Sequence, residues 1–379
     1  MCMPKYLLEC AVWELTLKCN LNCLHCGSSA GEKRKTELSH QQALDLCLDL
    51  KQAGCLSVAL MGGEPFLRPD FWDIASKVRE LGMDLSIITN GTVFNEDFFP
   101  RLVSLSPRAV AVSLDGAKKE THEKIRGVPG CYEKSWKFIN KALAENLPVS
   151  VITTVSKLNI GELKELSLQL VDRKIAWQIQ TAGSEGERFS AQCLLDREEF
   201  YAVGIFIDWL KKNYPPQRLP VIGAHDLGYH SRFLGDLSLY GKWPGCQAGR
   251  SVIGIRSDGD IMPCLSLNNS SFVAGNVLER KLKDIWNDVL AFSAFRNFKK
   301  EDAGENCAGC VKLDECMGGC CEMSLMKTGK LRNDFYCFRS IEEASARNIP
   351  DRLRLWLAGF SRKKNSGLGL LRRIFQGER

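Results

Sequence analysis

The chain has 379 residues, 45% of them hydrophobic and 25% charged, a balance that suits one large folded core with a smaller attached unit and excludes an extended disordered chain. Its net charge of +6 is carried by the last stretch, because from Asp351 to Arg379 the Lys and Arg residues are opposed only by Asp351 and Glu378. The body is neutral, which argues against a nucleic-acid substrate. No apolar run reaches the roughly eighteen residues of a membrane span, and the opening MCMPKYLLEC lacks a signal peptide's basic flank, so a cytoplasmic protein with no transmembrane segment is expected. In such a chain seventeen cysteines point to metals and not to disulfides.

From about Ala11 to Asn213, short β-rich runs alternate with amphipathic helical stretches, the pattern of an α/β fold built from βα units on a parallel sheet. Strands are predicted over Val12–Thr16, Ser57–Met61, Leu85–Thr89, Val110–Ser113, Val149–Val155 and Trp177–Thr181. Helices are predicted over Gln41–Ala53, Phe71–Leu81, Glu133–Glu145 and Gly161–Arg173, the first with Ser39 as N-cap and Gly54 as stop. Six such units are too few to close an eight-stranded barrel, so a partial barrel or an open doubly wound sheet is expected, with ligands at the C-terminal ends of the strands. Past Tyr214 the texture changes: Pro215, Pro216 and Pro220 interrupt the helix pattern, and cysteines cluster from Cys246 to Cys337. The expected division is a barrel over 10–230, a cysteine-rich domain over 240–345 and a basic tail over 350–379.

The loop after the first predicted strand holds Cys19, Cys23 and Cys26 as Cys-x3-Cys-x2-Cys. Three thiolates this close can wrap one cubane cluster and leave its fourth iron without a protein ligand, whereas a zinc knuckle, the alternative, closes at four. WELTLKCNLNCLHC, followed by MGGEP at the end of the second strand, resembles the radical S-adenosylmethionine (SAM) superfamily. The resemblance implies a partial (β/α)6 TIM barrel with a catalytic [4Fe-4S] cluster on Cys19, Cys23 and Cys26, whose open iron chelates SAM. One electron then cleaves SAM to a 5′-deoxyadenosyl radical that abstracts hydrogen.

The same resemblance gives roles to the strand-end residues. Gly62, Gly63 and Pro65 would let backbone approach the methionine moiety, and Glu64 would accept from its ammonium. Thr89 and Asn90, in TNG, resemble the segment lining the methionyl side, and Ser113 and Asp115, in SLDG, the ribose-binding position. Arg126, in IRG, resembles the basic residue that meets the carboxylate, and His25 the often aromatic neighbour of adenine. Each also reads as an ordinary turn or surface residue.

The C-terminal cysteines run Cys246-x12-Gly259-x4-Cys264, then Cys307-x2-Cys310-x5-Cys316-x3-Cys320, then Cys337. This resembles the SPASM domain that follows the barrel in radical enzymes acting on peptides. It implies one or two auxiliary [4Fe-4S] clusters, with Cys246, Cys264 and Cys320 at the first and Cys307, Cys310, Cys316 and Cys337 at the second. Some relatives add a cysteine six residues before Cys246, where this chain has Tyr240, so the first auxiliary cluster has an open iron or recruits Cys321, Cys193, water or substrate.

The resemblance also implies the substrate class: a ribosomally synthesised precursor peptide, modified by cross-linking or by backbone excision of a tyramine unit as in maturases of Nif11-type leader peptides. Relatives that oxidise sulfatases carry an aspartate after the second cysteine of the domain; Leu265 stands there, which disfavours sulfatase maturation. A radical enzyme on a small-molecule precursor stays open, and a non-catalytic iron–sulfur carrier is the alternative of another class. Because the first strand begins within about a dozen residues, a separate leader-peptide-binding protein (RRE-type) is expected as partner, beside a reductant such as flavodoxin or ferredoxin.

Overall fold

The structure is a computed structural model and describes residues 6–344 apart from 185, 225, 226, 228, 229, 239–242 and 244. In chain order it begins β1 (Cys10–Glu14), α1 (His40–Gln52), β2 (Ser57–Met61), α2 (Phe71–Glu80), β3 (Asp84–Thr89), α3 (Phe98–Ser104), β4 (Ala109–Ser113), α4 (Lys119–Arg126) and α5 (Cys131–Ala144). Then come β5 (Val149–Val155), α6 (Leu163–Leu170), β6 (Ala176–Thr181), α7 (Arg197–Asn213) and β7 (Val221–Gly223). The cysteine-rich part adds β8 (Val252–Ile255), β9 (Asp260–Met262), β10 (Gly275–Asn276), α8 (Leu282–Asn287), α9 (Ser293–Arg296), α10 (Leu313–Cys316), α11 (Cys321–Thr328) and α12 (Phe338–Ala344).

The strands form one sheet in the order β10-β9-β8-β1-β2-β3-β4-β5-β6-β7, parallel from β8 to β7 and antiparallel at β9 and β10. Along β2, β3 and β6 buried residues alternate with less buried ones, so one face packs on helices and the other keeps some access. Trp13, Leu60, Ile87, Val112, Val151 and Ile179 anchor the packed core. Helix α1 starts where expected because Ser39 and Gln42 form a capping box, the Ser39 N–H donating to Gln42 Oε1 at 2.8 Å.

The six expected strands are all present, β1 starting two residues earlier than its expected range. Two further parallel strands were not foreseen. Strand β7 is three residues long and follows Pro220, so its pattern was too short to stand out from a linker. Strand β8 lies between Cys246 and Cys264 and pairs with β1, Ala11 opposite Ile253. The cysteine-rich part therefore shares a sheet and an apolar core with the barrel. The helix expected over Gly161–Arg173 is shorter, because Ile160–Glu162 is a 3-10 turn and Val171 leaves helical geometry at ψ 142°. The tail over 350–379, Tyr240 and Cys2 lie outside the described residues. Among the described residues no helix is long and apolar enough to cross a membrane.

The shared sheet makes a testable demand. Ile253 is fully buried on β8, so Ile253→Ala should destabilise the protein by about 2–5 kcal/mol. Thermal denaturation should show this on the barrel's own transition; a separate early transition with the barrel's unmoved would contradict a common core.

Candidate active site

Cys19, Cys23 and Cys26 lie in the loop that leaves β1, gathered with Leu21, Val128 and Cys131 in a small apolar cluster of their own. The loop is closed at its base by Cys19 N–H donating to Gly31 O at 2.8 Å, and α4 holds its middle, where Asn22 N–H donates to Arg126 O and Leu24 N–H to Ile125 O. Each sulfur receives one N–H: Leu21 N on Cys19 Sγ at 3.4 Å, Arg126 Nη1 on Cys23 Sγ at 3.7 Å and Ala30 N on Cys26 Sγ at 3.3 Å. Burial pushes the Cys19 thiol up to about 12, with Leu21 N–H opposing it and Cys23, Glu64 and Cys26 adding to it. Sulfurs that raise one another in this way need a cation among them to be thiolates together. Among the described residues no three His, Cys, Asp or Glu side chains close round a single ion. A cubane asks for something else, one thiolate on each of several irons with hydrogen bonds to the sulfurs, and the loop fits that demand.

The glycine pair after β2 has a packing reason. A Cβ on Gly62 would stand 2.4 Å from Thr16 O and one on Gly63 2.3 Å from Lys18 O, and Gly63 N–H and Glu64 N–H donate to Thr16 O and Lys18 O. The pair thus seats the turn against the backbone leading to Cys19. Pro65 is buried and opens a 3-10 turn.

Glu64 is 0% exposed, and its carboxylate accepts from Thr89 Oγ1 and Asn90 N, each at 2.8 Å. Held in this way, it fixes the Thr89–Asn90 turn. Asn90 in turn reaches the cysteine loop, donating from Nδ2 to Asn20 Oδ1 at 2.9 Å.

Asp115 follows the end of β4. Its carboxylate is fully buried and occupied: Oδ2 stands 2.7 Å from Arg126 Nε and 2.8 Å from His25 Nε2, and Oδ1 accepts from Thr154 N at 2.9 Å. Burial alone would raise this carboxyl, but Arg126 and His25 hold it well below the usual carboxylate range. Asp115 positions Arg126 and His25, and of the SLDG pair only half-buried Ser113 keeps accessible surface at the end of β4. Burial pushes the nearby His122 down to about 4, Arg126 adding to the effect, so its ring is neutral.

In the cysteine-rich part the thiols fall into two sets. Cys307, Cys316 and Cys337 are raised by burial and share the neighbour Asp334, whose charge raises all three while its N–H opposes the rise at Cys307. Burial takes Cys307 to about 11 and Cys337 to about 12. Asp334 N–H donates to Cys307 Sγ at 3.3 Å.

The second set is Cys246, Cys320 and Cys321. A hydrogen bond from Cys321 lowers the Cys246 thiol to about 6 against the effect of burial, and Cys320 adjoins Cys321 at the start of α11. Cys264 follows β9, next to Pro263, whose carbonyl accepts from Gly249 N. Met317, Gly318 and Gly319 all take left-handed φ, the tight turn that sends Cys316 to one set and Cys320 to the other. Cys193 sits apart, at the end of a 3-10 turn before α7.

Comparison with known proteins identifies the family. The radical SAM superfamily model matches residues 13–170, and the iron–sulfur cluster-binding domain (SPASM) matches 246–311. Mycofactocin maturase MftC of Mycobacterium ulcerans is 30% identical over 82% of this chain and 82% of its own. The chain belongs to the radical SAM superfamily. It is an enzyme of that superfamily with a SPASM domain, and SAM and iron–sulfur clusters are its cofactors. Further relatives are an AdoMet-dependent heme synthase of Methanosarcina barkeri, 28% identical over 86% of this chain and 95% of its own, and a PqqA peptide cyclase of Rhizobium meliloti, 26% identical over 86% of each. Among solved structures, Streptococcus suis SuiB bound to SAM superposes with TM-score 0.69 at 20% identity over 88% of this chain and 76% of that one, which supports the fold.

Two residues of the radical SAM site carried no sequence signal. Asn159 donates from Nδ2 to Asp115 O and Thr154 O, and Arg188, from the segment after β6, reaches the cysteine loop. Neither stands in a recognisable motif, and only the parallel sheet brings them to this end of the molecule.

Burial of Glu64 predicts a pH effect. Its carboxyl is raised from 4.5 to about 7, so folding binds a proton between those values. The group's contribution to stability is present below 4.5 and lost as pH rises through about 7. Glu64→Gln should flatten that decline in the cofactor-free protein; denaturation midpoints with the same pH slope in both proteins would refute it.

Proposed function

We propose that this enzyme modifies a ribosomally synthesised precursor peptide, with Cys19, Cys23 and Cys26 holding the catalytic [4Fe-4S] cluster and the SPASM cysteines holding one or two auxiliary clusters. The observation that carries the reading is the cysteine loop itself, in which three neighbouring sulfurs each receive one N–H and no fourth thiol from a SPASM ligand joins them. A SAM molecule at the iron left open supplies the radical that abstracts hydrogen from the substrate.

The chain's own residues do the positioning. Arg126, held by Asp115, keeps a cation against Cys23, Ser113 and Thr89 end their strands, and Asn90 reaches the loop at Asn20. Cys307, Cys310, Cys316 and Cys337 would fill one auxiliary cluster. Cys246, Cys264 and Cys320 would take the other, and Cys321, hydrogen-bonded to Cys246, is a candidate further sulfur.

The peptide substrate rests on relatives whose names describe maturation and peptide cyclisation. A small-molecule substrate is the second reading, favoured by the heme synthase relative. The peptide reading calls for a separate leader-binding protein, and the radical chemistry for a flavodoxin- or ferredoxin-type reductant.

Anaerobic reconstitution, then incubation with dithionite and SAM, should release 5′-deoxyadenosine, and Cys26→Ala should abolish the release. Iron near about twelve per chain indicates three clusters and near about eight indicates two. Iron-loaded protein that releases none would end the radical assignment. Mass spectrometry of a short peptide encoded beside the gene decides between substrates: a mass change supports the peptide reading, an unaltered peptide beside active SAM cleavage the small molecule.

A further inference from the structure

The cysteine loop is gripped from two sides. On one side α4 accepts the N–H groups of Asn22 and Leu24, as described. On the other lies the segment that leaves β6, anchored at Ala182, whose N–H donates to Val155 O at 2.9 Å. Gly186 sits there at φ +90° with no room for a side chain, since a Cβ would stand 2.1 Å from Cys26 O. Glu187 N–H donates to Ser29 Oγ at 2.8 Å. Arg188 then donates from Nε to Cys23 O and from Nη2 to Ala30 O, both at 3.0 Å. The same segment touches the SPASM part, where Ser184 N–H donates to Met326 Sδ at 2.7 Å; Met326 lies on α11, the helix that begins beside Cys320.

Arg188 differs from the other cation of the loop. Arg126 is paired with a buried carboxylate, whereas both acceptors of Arg188 on the loop are backbone carbonyls, so these bonds leave its positive charge uncancelled. Charge and hydrogen bonding around the sulfurs set the potential of an iron–sulfur cluster, and a cation beside it favours the reduced form. The fork also holds two carbonyls at once, which a point charge does not.

We propose that Arg188 is a positioning residue for the catalytic cluster, its fork clamping the carbonyls of Cys23 and Ala30 while its charge raises the cluster's reduction potential. The inference rests on the assignment of that cluster to Cys19, Cys23 and Cys26.

The test compares the full-length, anaerobically reconstituted wild type with Arg188→Gln and Arg188→Lys. The paramagnetic signal of the reduced protein that changes on adding SAM marks the catalytic cluster. Its potential is read by redox titration and its retention by the rate at which a chelator removes it. Arg188→Gln should shift the reduction equilibrium on the order of tenfold toward the oxidised form, ~59 mV for one electron, and lose the signal about tenfold faster. Arg188→Lys should keep the wild-type potential while still losing the signal several-fold faster. Wild-type behaviour of Arg188→Gln in both readouts overturns the proposal; if that variant does not fold, a wild-type chelation rate in Arg188→Lys overturns it. A wild type that holds iron but gives no SAM-responsive signal rejects the cluster assignment itself, a different failure.

Discussion

A fully buried carboxylate, Asp115, governs the arrangement of this site. A charge withdrawn from water must be paired, and Asp115 is paired with Arg126 and His25 at 2.7 and 2.8 Å. His25 belongs to the cysteine loop, Arg126 to the end of α4, and Thr154, which donates to the other oxygen, to β5. One side chain thus ties three pieces of chain, distant in sequence, to the end of β4. Arg126 passes the constraint on to Cys23, and Glu64 does the equivalent between the second and third strand ends.

The division of labour between buried and accessible residues follows from this. The motif residues form two ranks by burial. Glu64 and Asp115 are behind, shaping turns and fixing cations, whereas Ser113, Cys19 and Cys26 keep surface. Glycine has a similar role at the end of β2, where the chain runs too close to the backbone of Thr16 to Lys18 for any Cβ.

The cysteine-rich part is built onto the barrel through β8, which extends the parallel sheet past β1. Cys246 lies just before β8, and β1, paired with β8 from Cys10 to Trp13, leads to the cysteine loop. Met326 of α11 adds a second connection, through Ser184. The two regions therefore meet at β1 and again at the segment that leaves β6.

The chemistry was legible in the sequence because it depends on local spacing. Three thiols within eight residues, a GGEP turn and a seven-cysteine pattern can be read without a fold, and so can the six longer strands and the cap at Ser39, whose signals are periodicity and hydrogen-bonding side chains. What only the tertiary structure decided is how these pieces face one another: that β7 and β8 join the sheet, that Asp115 spends its oxygens on Arg126, His25 and Thr154, that Cys321 bonds to Cys246, and that Arg188 lies over the cysteine loop. Such facts arise from contacts between residues far apart in the chain, 165 positions for Arg188 and Cys23 and more for β1 and β8, and no local pattern encodes them, because burial and pairing are properties of the assembled sheet.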